Sequence, residues 1–354
     1  MKYYNQQYFR LVLLPFLALF ITSCSSVTYE KIFPTLQDGK YDSEFPYKGC
    51  SDQLEEISIS TKRINSTAFY KTYTFNQSDK LKFDEIRTEN ILELAVTEGY
   101  ADQSSSGTAT IIYADIGRVA LLTCAHTIHY PDTIVSYIAD ADGNKTDFVD
   151  VILIKESQLI YVAGFPGNSQ VEILTIDTEL DLAIIGRDYG AFSDAVFPVF
   201  NYPLGRAKEL EWGTFVYVFG YPLSYLMITS AIVSTPNRDE RGSFVLDAVV
   251  NRGSSGALVL AIKDGVPNFE LVGIVQWVPE EETNFLTPKK LKNNEAYNPI
   301  VPYSGKKFVK RYSSIRYGIA NIISIETVIG FLERNRQVLN EKKFYFDEFL
   351  TEQK

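Results

Sequence analysis

A chain of 354 residues with 45% apolar and 14% aromatic side chains can bury one large core or two smaller ones, and is too apolar to be disordered. Its formal charge of −10 repels phosphate backbones and argues against nucleic-acid binding. With 21 Gly, 14 Pro and no internal repeat, neither a solenoid nor a linker-dominated chain is expected.

The first residues do not read as part of a fold. Lys2 and Arg10 precede the apolar run LVLLPFLALFITS (11–23), which is short for a membrane span. The run ends in ITSC (21–24), an aliphatic residue, two small ones and a cysteine. This resembles the lipobox of bacterial lipoproteins. It implies a signal peptide over 1–23, lipidation of Cys24, and a chain anchored to a membrane in the cell envelope, outside the cytoplasm. Loss of Lys2 and Arg10 would take the formal charge from −10 to −12. A plain secretory signal or signal anchor with an incidental cysteine is the alternative. Only Cys50 and Cys124 then remain. An exported protein permits a disulfide, but Cys124 ends a buried-looking run and Cys50 lies in a polar stretch, so a free thiol at Cys124 is expected.

Residues 24–87 are polar and mixed, and read as a tether with an N-terminal extension. From about residue 88 the pattern changes to short runs rich in β-branched residues: ILELAV (91–96), GTATIIY (107–113), VALLTC (119–124), TIVSYIA (133–139), FVDVILIK (148–155), QLIYVAG (158–164), VEILTI (171–176) and LAIIG (182–186). A gap with Pro198, Pro203 and Gly205 follows. A second set runs from TFVYVFG (214–220) through FELVGIVQWV (269–278) to IRYGIANI (315–322). Two sets of short strands predict two barrels side by side, about 88–195 and 205–325. A polar insert over 279–314, with Lys289, Lys290, Lys292, Lys306, Lys307, Lys310 and Arg311, reads as a variable loop or a lid. Apolar residues at Ile325, Val328, Ile329 and Leu332 predict a helix over 325–339, within a C-terminal tail of 326–354.

The only two histidines, His126 and His129, both lie in LLTCAHTIHY (121–130). A metal site, a catalytic base with a bystander, and chance are all admissible. Two Cys and two His without CxxC or HxxxH spacing argue against structural zinc, and no metal or cofactor is called for. Three segments each carry a reactive side chain at the edge of an apolar strand: LLTCAHTI with His126, TELDLAIIG with Asp181, and NRGSSGALVL with Ser255 between Gly253 and Gly256. A serine hydroxyl needs a base to take its proton, and the base needs a third group to fix its tautomer. Backbone amides must also face the developing oxyanion, which the glycine two residues before the serine permits.

The order His, Asp, Ser and the segments SGTATII…VALLTCAHTI, ELDLAIIG, DAVVNRGSSGALV (247–259), VFGYPLSYLMITSAIVS (218–234) and LVGIVQWV (271–278) resemble trypsin-like serine peptidases of the chymotrypsin fold, nearest to the bacterial HtrA/Deg branch. The resemblance spans roughly 88–325. It implies an all-β chain of two six-stranded antiparallel β-barrels with a C-terminal α-helix. It further implies Ser255 as nucleophile, His126 as base, Asp181 as its orienter, and the amides of Gly253 and Ser255 as oxyanion hole. Val249 would floor the pocket for the P1 side chain, and Gln276, Trp277 and Val278 would form the edge strand that pairs with a protein or peptide substrate. Valine at 249 and 278 predicts a small or medium apolar P1 residue. Ala257 and Leu258 stand where the family has Gly and Pro, and Arg252 where it has Pro, so a catalytically weak binding module is the alternative. Ser254 is not the aspartate that animal zymogens use for activation. Only about 30 residues follow the last expected strand, so the PDZ domain common in HtrA proteins is not expected.

Overall fold

The computed structural model describes residues 34–351 apart from 88–89, 141–142, 191–194, 278–279, 289–296, 298–299 and 316–317. Cys24 and the lipobox-like segment lie outside the described residues. Among those described, no helix is long and apolar enough to cross a membrane.

Seven strands build the first half: β1 (Thr61–Thr74), β2 (Thr97–Asp115), β3 (Arg118–Thr123), β4 (Thr133–Ala139), β5 (Lys145–Val162), β6 (Gln170–Asp177) and β7 (Leu182–Asp188). Pairing runs β1-β2-β3-β7-β6-β5, and β5 closes on β1, giving a six-stranded antiparallel barrel with β4 added along β5. The second half holds β8 (Phe215–Gly220), β9 (Met227–Thr235), β10 (Phe244–Asp247), β11 (Leu258–Ile262), β12 (Phe269–Trp277), a hairpin of β13 (Glu280–Pro288) and β14 (Lys307–Ile315), and β15 (Ala320–Ser324). Here β10-β15-β12-β11-β8-β9 form a second closed barrel. The two-barrel, all-β architecture is the one the sequence resemblance implies.

Each barrel has its own core. Ile64, Ile111, Leu121 and Ile185 fill the first; Phe219, Phe244, Leu260 and Ile274 belong to a larger cluster that also takes in Leu122, Cys124 and Leu182 from the first barrel. Each such side chain contributes roughly 1.5–3 kcal/mol on leaving water. The shared cluster holds the two barrels together beneath the groove where the reactive side chains meet.

Several expectations are corrected. The extension drawn over 24–87 contains β1, which pairs with both β2 and β5, so barrel 1 begins at Thr61 rather than near 88. Its inward residues Ile64, Ser66, Ala68 and Tyr70 are buried, but one of them is polar and they alternate with residues that include Arg63, Asn65, Thr67 and Lys71, and the strand therefore reads as polar. ILELAV is not a strand: Ile91–Leu94 is a single helical turn that packs Ile91 against Tyr73, Phe75 and Val149 in a satellite core. The two runs expected between 148 and 164 are one strand, β5. The insert over 279–314 is built on the β13–β14 hairpin. The expected helix over 325–339 divides into Ile325–Arg334 and Arg336–Glu341. Asn335 separates them: its Nδ2 donates to Phe331 O at 2.9 Å and its Oδ1 accepts from Thr175 Oγ1 at 2.7 Å, competing with helix continuation.

Residues 41 and 42 tie the N-terminal segment to barrel 2. Tyr41 donates to Glu270 Oε2 at 2.6 Å, and Asp42 Oδ2 accepts from Gly265 N at 2.9 Å. Burial pushes the Asp42 carboxyl up to about 6, aided by the nearby charges of Glu44 and Asp264. The folded chain therefore holds this proton more tightly than the unfolded chain, and the stability it confers is lost as pH rises from ~4 through about 6. Asp42→Asn keeps the acceptor without the charge. It is expected to raise stability at pH 7 by about 1–3 kcal/mol, with the gap to wild type closing by pH ~4 in thermal melts.

Candidate active site

His126 sits on a single 3₁₀ turn, Ala125–Thr127, just beyond the end of β3. Asp181 ends the β6–β7 turn with φ +58°, a left-handed conformation that Asp tolerates better than most residues. Both its backbone and its side chain hold it there. Its carbonyl accepts from Ala125 N at 3.1 Å, and its Oδ1 accepts from His126 N at 2.9 Å. These bonds weld the β3 and β7 ends into one unit and aim the carboxylate at the imidazole.

Ser255 lies across the groove, before β11. Its carbonyl accepts from Thr108 N of β2 at 2.8 Å, which fixes the loop of barrel 2 to barrel 1. Gly253 has φ +98°, and a Cβ there would stand 2.4 Å from Tyr221 O, so only glycine fits. Ser255 Oγ is 2.9 Å from His126 Nε2. On the other side of the ring, Nδ1 is 2.8 Å from Asp181 Oδ2 and 3.0 Å from Oδ1. The Asp181 side chain is 14% exposed and that of His126 45%, so the carboxylate is shielded while the imidazole faces the groove. A carboxylate on Nδ1 keeps the proton there and leaves the Nε2 lone pair on the serine hydroxyl, an array able to draw off the hydroxyl proton.

The Arg252 carbonyl accepts from Leu223 N at 2.9 Å, which turns the Gly253 N–H the opposite way across the peptide plane. Among the described residues neither Gly253 N nor Ser255 N has an acceptor. Two unspent amides beside a serine hydroxyl can stabilise an oxyanion.

Thr108 is a positioning residue that no sequence signal marked. Its fully buried hydroxyl donates to Gly253 O at 2.7 Å and accepts from Tyr221 N at 2.9 Å, clamping the glycine loop from below. Thr123 Oγ1 in turn donates to Thr108 O at 2.8 Å. Thr108→Val is expected to leave the Gly253 carbonyl and Tyr221 amide unpaired. It should destabilise the fold by about 1–3 kcal/mol and lower kcat more than it raises KM, read by melting and steady-state kinetics on one preparation. Thr108→Ser, which restores the hydroxyl, should recover most of kcat.

Cys124, His126 and Asp181 bring one ligand atom each within 4.8 Å of one another. The thiol is unsuited to a metal or to attack: it is fully buried, donates to Val275 O at 3.2 Å, and burial and the Asp181 charge push its pKa well up. Cys50 and Cys124 are both free. His129 is exposed, and its amide donates to Ala125 O at 2.8 Å.

The expected substrate positions fare unequally. Gln276 and Trp277 lie at the end of β12 beyond the reach of β11, whose last pair is Leu258 with Ile274, so that side of the strand end carries no β11 partner. Val278 falls outside the described residues. Val249 is 71% exposed, which is not the burial of a pocket floor, and corrects that expectation. It lies outside the regular strands between β10 and β11, where the described chain packs nothing over it. Ala257 is accommodated: its methyl lies where a Cβ on Gly220 would come within 2.7 Å, and its amide donates to Ser254 O at 2.9 Å. Leu258 pairs with Phe219 and Ile274 inside the barrel.

Residues 107–274 match a family model described as a trypsin-like peptidase domain. Among solved structures, the chain is similar to an HtrA-type protease, AlgW, with a tripeptide (15% identity, TM-score 0.43, 81% of this chain and 64% of that one). It is also similar to the Rv3671c protease of M. tuberculosis H37Rv in an inactive form (13%, 0.38, 79% and 91%), and to Deg5 (14%, 0.35, 64% and 83%). The chain thus spans 64% of the AlgW length, and likeness at these scores carries no conclusion about chemistry. No curated protein matches the chain significantly.

Proposed function

We propose that the chain, whose residues 107–274 match the trypsin-like peptidase domain model, is a serine endopeptidase in which Ser255 attacks the peptide carbonyl. The observation that carries this is the unbroken relay from Ser255 Oγ through both nitrogens of His126 to Asp181, at 2.9 and 2.8 Å. His126 takes the serine proton and returns it to the leaving amine, while Asp181 holds the ring in the required tautomer and steadies its charge. The amides of Gly253 and Ser255 receive the negative oxygen of the tetrahedral intermediate, and water then repeats the cycle on the acyl-enzyme. Proton transfer within such an array contributes typically ~10²–10⁴-fold, and each oxyanion donor a similar factor.

Gln276, Trp277 and Val278 pair with the substrate backbone before the scissile bond. Gln276, Trp277 and Val278 bring no charge to the P1 side chain, so cleavage follows small or medium apolar residues. ITSC at 21–24 supports a membrane tether at Cys24 on the extracytoplasmic side of the cell envelope. One experiment checks both: membrane fractions carrying wild type should cut a peptide library after Ala or Val, and Cys24→Ala should move that activity into the soluble fraction. Cleavage dominated by Lys, Arg or Glu at P1 contradicts the specificity, and unchanged sedimentation contradicts the anchor.

A further inference from the structure

The strand that reaches Ser255 from barrel 1 has a long open edge. Thr97–Thr110 of β2 pair with β1 without interruption, but β3 pairs only with Thr110–Asp115. Among the described residues no strand pairs with the other side of residues 97–107. In an antiparallel ladder, alternate residues turn both N–H and C=O to the same neighbour. Thr108 turns its amide to Ser255 O and its carbonyl to Thr123 Oγ1, away from β1. By the same alternation Ser106, Ser104, Asp102, Tyr100 and Glu98 present their N–H and C=O groups to the open edge. All five residues are exposed, Tyr100 at 80%. A free edge of eleven residues, about 36 Å, invites a strand.

We propose that this edge binds, by β-augmentation, the part of a polypeptide substrate that follows the scissile bond, to a depth of about eight residues. The direction rests on the peptidase reading. A peptide passing Ser255 on its way out of the groove runs opposite to β2, which approaches Ser255, and so meets the edge as an antiparallel partner. The edge is continuous with the site through the bond from Thr108 N to Ser255 O, 2.8 Å long. Asp102 projects from this edge on the same face as Glu98, whose carboxylate Lys71 already pairs at 2.7 Å, so a basic side chain in the peptide is complementary at Asp102. The substrate class is an extended chain with a long, unfolded, proline-poor and preferably basic segment after the cleavage point, rather than a short peptide.

The probes are two fluorescein-labelled peptides that share Ala-Ala-Ala-Val and continue with one Thr-Lys unit or with four. Affinity is read by polarisation on full-length Ser255→Ala protein, and kcat/KM on wild type. The long peptide should bind at least about tenfold more tightly, the worth of one or two net backbone hydrogen bonds. N-methylation of every second amide after Val, in the register facing the edge, should erase the gain, and methylation in the other register should not. Ser104→Pro removes one outward donor and leaves the β1 pairing intact, so it should shrink the ratio of long to short. Should that variant not fold, the methylated series decides alone. Equal affinity for both peptides, or equal effects of both methylation registers, overturns the proposal. So does a wild-type dimer that Ser104→Pro makes monomeric, since the edge then belongs to a second copy. Extension-dependent binding without hydrolysis by wild type would keep the edge and remove the peptidase reading; hydrolysis with no gain from extension would do the reverse.

Discussion

Replacing His126 with alanine is expected to lower kcat for peptide hydrolysis by roughly 10⁴–10⁶-fold, whereas His129→Ala changes it little. The relay places His126 Nε2 2.9 Å from Ser255 Oγ, and the chain holds no other imidazole within that reach. His129 is exposed on the same short segment. A loss in His129→Ala equal to that in His126→Ala would mean that the wrong histidine carries the proton. Because the His126 side chain is 45% exposed, its removal opens no deep cavity, and melting curves should show that the variant is folded.

Asp181→Asn should lower kcat by roughly 10⁴-fold while leaving the fold almost intact. Asn, like Asp, tolerates the left-handed φ of +58°, and its Oδ1 can still accept from His126 N. What changes is the partner of Nδ1. An amide nitrogen facing it favours the tautomer with the proton on Nε2, and an Nε2–H cannot take the serine proton. Asp181→Ala should add instability to the same kinetic loss, because the carbonyl and carboxylate together hold Ala125 and His126. A kcat for Asp181→Asn within tenfold of wild type would leave the carboxylate a structural role only.

The three reactive side chains are readable in the sequence because each ends or precedes a strand dense in β-branched residues, and because Gly253 and Gly256 frame Ser255. The two-barrel fold is readable for the same reason, from strand spacing. What is hidden depends on packing between distant segments. Thr108 looks like any strand threonine until the chain folds and its hydroxyl meets Gly253 and Tyr221, more than a hundred positions away. β1 is hidden because its buried face includes Ser66 and its other face carries Arg63, Asn65, Thr67 and Lys71. Val249 is misread as a pocket floor because counting back from Ser255 fixes a position in the chain but not the walls around it. The open edge of β2 is invisible in sequence, since a partner's absence on one side leaves no residue pattern.

The central claim is that Ser255 is an activated nucleophile. Labelling of purified full-length protein with a fluorophosphonate tests it directly, since the reagent bonds only to a serine whose proton a neighbouring base can take. The relay predicts stoichiometric labelling of wild type at Ser255, located by peptide mass spectrometry, and none of Ser255→Ala. A folded wild-type protein that takes no label, or takes it at another residue, would contradict the account.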